Sequence, residues 1–283
     1  MVSSFIMVIP LFYNFMELII TGSGGATSTP RPFCQCLICK KARKEGEPYK
    51  RNSSSLYIND IFTLIDCGED IGDSLNRRNI IRVDNLFITH WHPDHTFGMR
   101  SLLEAYFNFR EGKPDRQVTV YMSKRVFEDL KEHYPSISHF SDHLEVAEIQ
   151  HLDNQKSIQI GNIGITAIGY KGETSNIFAY LIEENSKRVL YAPCDTISFE
   201  QKIFNLDLLI HECGLFSHEK IKGEISFPAM IERIRLFKPK RTILTHIEEI
   251  EINAWGWDYL EKMKKQYSDV DFDFAYDGMK IRL

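Results

Sequence analysis

The sequence predicts an α/β fold in which two β-sheets pack face to face with helices on the outside. Short apolar runs separated by turn signals recur in both halves of the chain, and segments of helical periodicity fall between and after them. No repeat, low-complexity tract or Pro/Ser-rich linker divides the chain, and 283 residues are enough for one large α/β domain. This arrangement is typical of an αββα sandwich folded as a single domain.

The predicted strands follow the apolar runs, which are, in chain order, Met16–Thr21, Leu56–Ile58, Ile61–Asp66, Leu86–His90, Val118–Tyr121, Ile158–Tyr170, Ile177–Ile182, Arg188–Asp195, Leu206–His211 and Thr242–His246. Asn59 and Asp60 lie between the second and third runs and predict a hairpin turn. Helical periodicity covers Phe97–Phe109, Lys124–His133, Pro228–Phe237 and Ala254–Gln266. In the third helix, Pro228 suits the first turn because that position needs no backbone donor.

The composition is that of an ordinary globular protein, with 43% hydrophobic and 26% charged residues. A net charge of −5 predicts no preference for nucleic acid or an anionic membrane. The cysteines show no disulfide pattern, and Cys67, Cys194 and Cys213 occur in apolar, strand-like contexts typical of buried thiols. A reducing, cytoplasmic location is therefore expected.

Residues 1–15 are apolar but do not have the features of a signal peptide, because no Lys or Arg precedes Arg31 and Pro10 and Asn14 interrupt the run. The run is also shorter than the roughly 20 residues that span a bilayer. We expect a single folded domain to cover residues 16–283, beginning at Met16, with residues 1–15 as an extension or a mis-assigned start. A membrane anchor is the alternative.

The most informative segment contains His90, His92, Asp94 and His95, directly after an apolar strand and before a helix. Three imidazoles and a carboxylate so close together are costly to bury unless something pairs with them. A strand end that turns into a helix can direct His90 and His92 toward one metal ion and the other pair toward a second. Imidazole and carboxylate are ligands of zinc, iron and manganese. The alternative is a surface turn that is rich in histidine.

Two further side chains of the same chemistry end predicted strands. Asp195 follows the run that begins at Arg188, and His246 ends the run that begins at Thr242. Ligands are commonly carried on the loops that leave a rigid sheet. Each position alone is equally compatible with a cap or a turn, but together with the histidine–aspartate segment they predict a metal centre.

At these positions the chain resembles the metallo-β-lactamase superfamily, and within it the phosphodiesterase accessory proteins of the carbon–phosphorus lyase pathway. The likeness runs from about Met16 to the C-terminus. It rests on the metal-binding motif, a cysteine-rich segment, and the stretches Thr21–Gly25, Phe178–Glu183, Ile243–Ile247 and Asp277–Met279. The resemblance implies an αββα sandwich of two mixed sheets. A shared fold does not by itself name a substrate, because one scaffold hosts many hydrolases.

The resemblance also implies roles for the residues. One divalent ion is bound by His90 and His92, the second by Asp94, His95 and His246, and Asp195 bridges the two. Two positions depart from the family: Glu173 stands where a third histidine binds the first metal, and Glu224 stands where a histidine assists the leaving group.

Both departures leave usable chemistry. Glu173 can bind a metal through oxygen, and the more anionic site favours manganese or iron over zinc. We expect Asp94 and Glu224 to be catalytic, with Glu224 acting as a general acid if burial or a neighbouring carboxylate raises its pKa. The alternative is a site that has lost activity and only binds metal or ligand.

Cys34, Cys36 and Cys39 have the spacing C-x-C-x₂-C, and three thiols so close together predict a structural zinc ion. In the family that this chain resembles, a histidine completes such a site at the position occupied here by Glu249. Glu249, His218 or a water molecule could supply the fourth ligand. Reduced thiols or a redox role are the alternatives.

The predicted function is that of a dinuclear metal-dependent hydrolase acting on small or cyclic phosphodiesters, an expectation based on the resemblance. A tRNA 3′-processing nuclease of the same superfamily needs a basic RNA-binding arm, whereas Arg110–His151 are mixed in charge. An ester, lactone or thioester hydrolase and a non-catalytic binding protein are further alternatives. The apolar N-terminal segment and the C-terminal helix are compatible with a homodimer.

Overall fold

The computed structural model describes residues 15–172, 175–216 and 225–283. Residues 1–14, Glu173, His218 and Glu224 lie outside the described residues, together with the expectations placed on them. None of the helices within the described ranges combines the length and the apolar composition needed to cross a membrane.

The first sheet is mixed. Its strands lie in the order β16 (Lys280–Arg282), β1 (Glu17–Gly22), β2 (Ser55–Ile58), β3 (Thr63–Ile65), β4 (Asn85–Phe87), β7 (Val118–Met122) and β8 (Ala147–His151). Pairing is antiparallel from β16 to β3 and parallel from β3 to β8. The parallel strands therefore end at one edge of the sheet, and β3 and β4 both end there.

The second sheet repeats this plan. Its strands lie in the order β15 (Phe272–Phe274), β14 (Thr242–Thr245), β13 (Leu208–Glu212), β12 (Lys187–Ala192), β11 (Asn176–Glu184), β10 (Ile163–Lys171) and β9 (Ser157–Ile160). Pairing is antiparallel from β9 to β12 and parallel from β12 to β15. A short antiparallel pair, β5 (Phe107–Asn108) and β6 (Lys113–Pro114), lies outside both sheets.

Helices cover the outer faces of the sheets. They are α1 (Leu37–Glu45), α2 (Ile71–Arg77), α3 (Pro93–Thr96), α4 (Met99–Glu104), α5 (Lys124–His133), α6 (Phe227–Phe237), α7 (Glu249–Trp255) and α8 (Asp258–Gln266). One core cluster joins side chains of both sheets, such as Val120 and Tyr191. A second cluster packs Met230 and Ile234 of α6 against Leu209 of β13. The predicted αββα arrangement is therefore confirmed.

Two predicted elements are divided at a glycine in the structure, and a third is shorter than predicted. The helix predicted over Phe97–Phe109 covers only Met99–Glu104 and is followed by β5; Gly98, where a Cβ would lie 2.0 Å from the carbonyl oxygen of Gly68, separates it from α3. The strand predicted over Ile158–Tyr170 is a hairpin that turns at Gly161, and the helix predicted over Ala254–Gln266 breaks at Gly256; both glycines have positive φ. Apolar periodicity continues across such breaks and therefore does not mark them.

The two sheets are tied together next to the end of β4. The fully buried Tyr180 of β11 donates a hydrogen bond from its hydroxyl to the carbonyl oxygen of Ile88 over 2.7 Å. Its ring packs edge-on against Phe87 at 5.3 Å. The backbone N–H of Phe178 donates to the carbonyl oxygen of Thr89 over 3.0 Å. These contacts fix the backbone that leads directly into His90.

The substitution Tyr180→Phe tests this tie. It keeps the ring but removes the donor to a buried carbonyl, so the free energy of unfolding should fall by about 1–3 kcal/mol. Urea-induced unfolding measures the change, with Tyr276→Phe at an exposed position as the control. Equal stability of the two variants would show that the hydrogen bond contributes nothing.

Candidate metal centre

His90 and His92 converge at the end of β4. His90 is fully buried, and its Nε2 lies 3.0 Å from Nδ1 of His92. The hydroxyl of Thr89 donates to the carboxylate of Asp66, within 3.0 Å of both oxygens, and lies 2.9 Å from Nδ1 of His90. Because this hydroxyl donates to Asp66, it accepts from a protonated Nδ1 of His90. The lone pair on Nε2 of His90 is then available for a metal.

Asp66 also orients His95. Its Oδ2 lies 2.8 Å from Nδ1 of His95, and both side chains are fully buried. Nδ1 therefore carries a proton, and Nε2 of His95, which faces Asp94, is the nitrogen left to bind a metal ion. This Nε2 atom is buried and has no hydrogen-bond partner among the described residues. A buried polar nitrogen without a partner is costly, and a metal ion is the partner that this donor set fits.

Asp94, His95 and His246 form the second group of converging side chains. Oδ2 of Asp94 lies 3.2 Å from Nε2 of His95 and 3.4 Å from Nε2 of His246. The three ligand atoms lie within 4.8 Å of one another, and all three residues are buried. The positions predicted for the second metal are therefore brought together.

His246 is held from two sides. Its backbone N–H donates to Oγ of Ser54 over 3.0 Å, and its Nδ1 lies 3.3 Å from Oε1 of Glu248. The same oxygen of Glu248 accepts the backbone N–H of Ala26 over 2.9 Å. A Cβ at Gly25 would lie 2.0 Å from this oxygen, so the glycine makes room for the carboxylate.

Asp195 follows β12 in a left-handed backbone conformation, with φ of 49°. Its carboxylate is buried, and the charges of His92 and His246 act on it, but it joins no group of converging ligand atoms in the described part of the chain. The next residue, Thr196, donates its backbone N–H to the buried carboxylate of Glu212. Glu173, the predicted neighbour of this site, is outside the described residues.

The two carboxyl groups have different electrostatic surroundings. Burial raises the pKa of Asp94, but His95 and His246 more than offset this and hold the pKa well below its usual range. Burial raises the pKa of Asp195, and the neighbouring histidines offset only part of that effect. Burial, together with the charges of His95 and His92, holds the pKa of His90 well below its usual range. His90 is therefore a neutral imidazole, the form that binds metals.

The cysteine segment forms a second cluster. Oε1 of Glu249 lies 3.6 Å from Sγ of Cys34, 3.3 Å from Sγ of Cys36 and 3.1 Å from Sγ of Cys39. Glu249 is buried, and its Oε2 atom has no hydrogen-bond partner in the described part of the chain. Three sulfur atoms and one carboxylate oxygen around one point are a donor set that fits zinc. Glu249, one of the candidates for the fourth ligand, therefore lies together with the three cysteines.

The sequence interpretation missed Asp66 and Glu248, which contact His95 and His246. A signal for Asp66 was present, because the residue directly follows β3 and β3 runs parallel to β4. The carboxyl ends of adjacent parallel strands meet at one edge, so Asp66 has to lie near Thr89. Glu248 gave no such signal, since its partner Ala26 is distant in sequence. The histidines outside these clusters at positions 133, 139, 143 and 151 are all exposed.

A family model described as "Beta-lactamase superfamily domain" matches residues 63–247, a range that contains the histidine–aspartate cluster and ends just after His246. The chain belongs to the metallo-β-lactamase superfamily. Among curated proteins, an octanoyltransferase of Porphyromonas gingivalis is 31% identical over 124 residues, 42% of this chain and 23% of that protein. A ribonuclease Z of Staphylococcus haemolyticus is 25% identical over 234 residues, 77% of this chain and 75% of that protein.

The match with this chain covers less than a quarter of the length of the octanoyltransferase, and also of two archaeal ribonucleases Z. Among solved structures, Zn²⁺-bound PqqB from Methylobacterium extorquens has a TM-score of 0.78 at 17% identity, covering 95% of this chain and all of that one. A diphosphatase from the PhnP family has a TM-score of 0.73 at 20% identity, covering 95% of this chain and 98% of that one. At these identities the likeness to solved structures shows the shared fold.

The substitution Asp66→Asn should weaken metal binding at the centre by about 10- to 100-fold, because a neutral amide orients His95 less firmly and makes it less basic. Competition with a chromophoric chelator measures the affinity. Asp84→Asn is the matched control, because Asp84 pairs with Arg82 and Arg116 away from the centre. Equal affinities in both variants would contradict the role assigned to Asp66.

Proposed function

We propose that this chain is a dinuclear metal-dependent hydrolase that cleaves small or cyclic phosphodiesters. The observation that carries the proposal is that five side chains with metal-binding atoms lie together: His90, His92, Asp94, His95 and His246. Among them, the buried Nε2 of His95 has no hydrogen-bond partner in the described ranges. Asp195 is proposed to bridge the ions. Glu173 is proposed as a further oxygen ligand, on the resemblance alone.

Divalent ions at this centre would supply Lewis acidity for the phosphate oxygens and an activated water as nucleophile. The residues of the chain prepare the site. Asp66 keeps the proton on Nδ1 of His95, so that Nε2 faces the centre. The charges of His95 and His246 keep Asp94 ionised. Glu224 remains the proposed acid for the leaving alkoxide.

A phosphate ester is the preferred substrate because of the proteins that the chain is similar to. They include a diphosphatase and several ribonucleases Z. The proposed ions are zinc, manganese or iron. A homodimer and a cytoplasmic location stay predictions.

We propose that Cys34, Cys36, Cys39 and Glu249 hold a structural zinc ion. The short distances from Oε1 of Glu249 to the three sulfur atoms support this proposal. The charge of the carboxylate distinguishes the set from one completed by histidine, and Arg31 lies 3.7 Å from Oε2 of Glu249 as a partial counter-charge.

A tRNA 3′-processing nuclease is the second candidate. The alignment with the Staphylococcus haemolyticus ribonuclease Z, over 77% of this chain, favours it. The segment 110–151 argues against it, because these described residues include β6, β7, α5 and β8 rather than a long basic arm. The net charge of −5 also gives no general attraction for RNA.

Hydrolysis of bis-p-nitrophenyl phosphate and of a 2′,3′-cyclic nucleotide after loading with zinc or manganese tests the proposed function. Asp94→Ala should lower kcat/KM by about 100-fold or more, since it removes a ligand of the centre. Asp84→Ala is the control on the protein surface. Absence of metal-dependent turnover of either diester would overturn the proposal. Cleavage of a precursor tRNA in its place would favour the second candidate.

The substitution Cys39→Ser should lower the zinc content by about one ion per chain and lower the melting temperature, because a structural site contributes to folding. Elemental analysis and a thermal melt measure the two effects. Cys213→Ser, at another buried thiol, should leave the zinc content unchanged. Full zinc content in Cys39→Ser would contradict the proposed structural site.

A further inference from the structure

Cys194 ends the run that carries Asp195 and lies at the metal centre. Only 5% of its surface is exposed. Its Sγ forms a group with one ring nitrogen each of His90 and His95, and the three atoms lie within 4.8 Å of one another. The imidazole of His246 also lies near the thiol.

The other buried thiols have different surroundings. Cys67 lies near Asp66 and Asp70, and Cys213 lies near Arg51 and Glu251. In the described part of the chain, neither belongs to a group of converging metal-binding atoms. Burial alone therefore does not explain the position of Cys194, because the other two thiols are buried equally well without joining such a group in the described residues.

A second observation points to a ligand at the same place. Nε2 of His95 is fully buried and has no hydrogen-bond partner among the described residues, although a thiol, a carboxylate and another imidazole surround it. These groups share an affinity for one class of partner, a divalent metal ion. The surroundings of His95 thus contain a sulfur donor in addition to the nitrogen and oxygen donors.

We propose that Sγ of Cys194 is itself a metal ligand of this centre, bound to the ion that Nε2 of His95 binds. The inference rests on the proposed dinuclear centre and adds to it a thiolate that the sequence pattern does not predict. When the sulfur binds, its S–H bond breaks, the proton leaves to solvent, and a sulfur electron pair forms the bond to the ion. No oxidant or reductant is needed.

The consequence is a change in metal preference. Carboxylate ligands such as Asp94 and Asp195 favour hard ions such as manganese. A thiolate favours zinc, because soft sulfur ligands select softer ions. Cys194 therefore makes the centre prefer zinc despite its acidic ligands.

The main experiment loads the full chain with Co²⁺ and records the sulfur-to-cobalt charge-transfer band in the near ultraviolet. With the three thiols of the cysteine cluster and Cys194 all bound, Cys194→Ser should remove about a quarter of the band and weaken zinc binding at the centre by about 10-fold or more, with manganese binding nearly unchanged. Cys213→Ser is the matched buried-thiol control and should keep the full band.

Cadmium-113 NMR of the unaltered chain tests the same point without any substitution, so a folding defect of Cys194→Ser does not stop the test. The signal that disappears in Asp94→Ala belongs to the centre. A chemical shift in the range of mixed nitrogen, oxygen and sulfur ligands supports the inference.

A signal of the centre in the range of nitrogen and oxygen ligands alone, or an undiminished cobalt band in a folded Cys194→Ser, overturns the role of Cys194 and leaves the proposed function intact. If the unaltered chain binds metal only at the cysteine cluster, no signal depends on Asp94. That result overturns the dinuclear centre, and the inference with it.

Discussion

Three chain segments leave the ends of strands in a left-handed backbone conformation and meet at the metal centre. Asp66 after β3, Asp195 after β12 and His246 after β14 have φ of 65°, 49° and 53°. Such a conformation costs of order 1 kcal/mol or more for a residue with a Cβ, and it persists only where the surroundings enforce it. Here the two sheets enforce it, because parallel strands deliver these residues to one edge and the backbone has to turn sharply there.

The Asp66 carboxylate links this edge to the ligands. It accepts hydrogen bonds from the backbone and the hydroxyl of Thr89 and from the ring of His95. One buried group thus sets the proton positions on both His90 and His95. Its own charge is kept inside the protein by these three donors, as a buried carboxylate requires.

The sequence was sufficient for the sandwich and for the residues that carry metal-binding chemistry. Dense clustering of His90, His92, Asp94 and His95 after an apolar strand is a local signal, so it can be recognised without a structure. The positions of Asp66, Glu248 and Cys194 depend on contacts between distant segments, which periodicity and spacing do not encode. Helix breaks such as that at Gly98 also depend on a distant backbone, in this case Gly68.

The segment from His246 to Glu249 contributes to two clusters at once. His246 lies in the group with Asp94 and His95, while Glu249, at the start of α7, lies among the three cysteines. Between them, Ile247 donates its N–H to the carbonyl of Ser23 and Glu248 contacts Ala26. The spacing of these four residues is therefore fixed from both ends. A single-residue insertion or deletion here would move one cluster out of register with the other, so this short loop has less freedom to change its length than an ordinary loop on the surface.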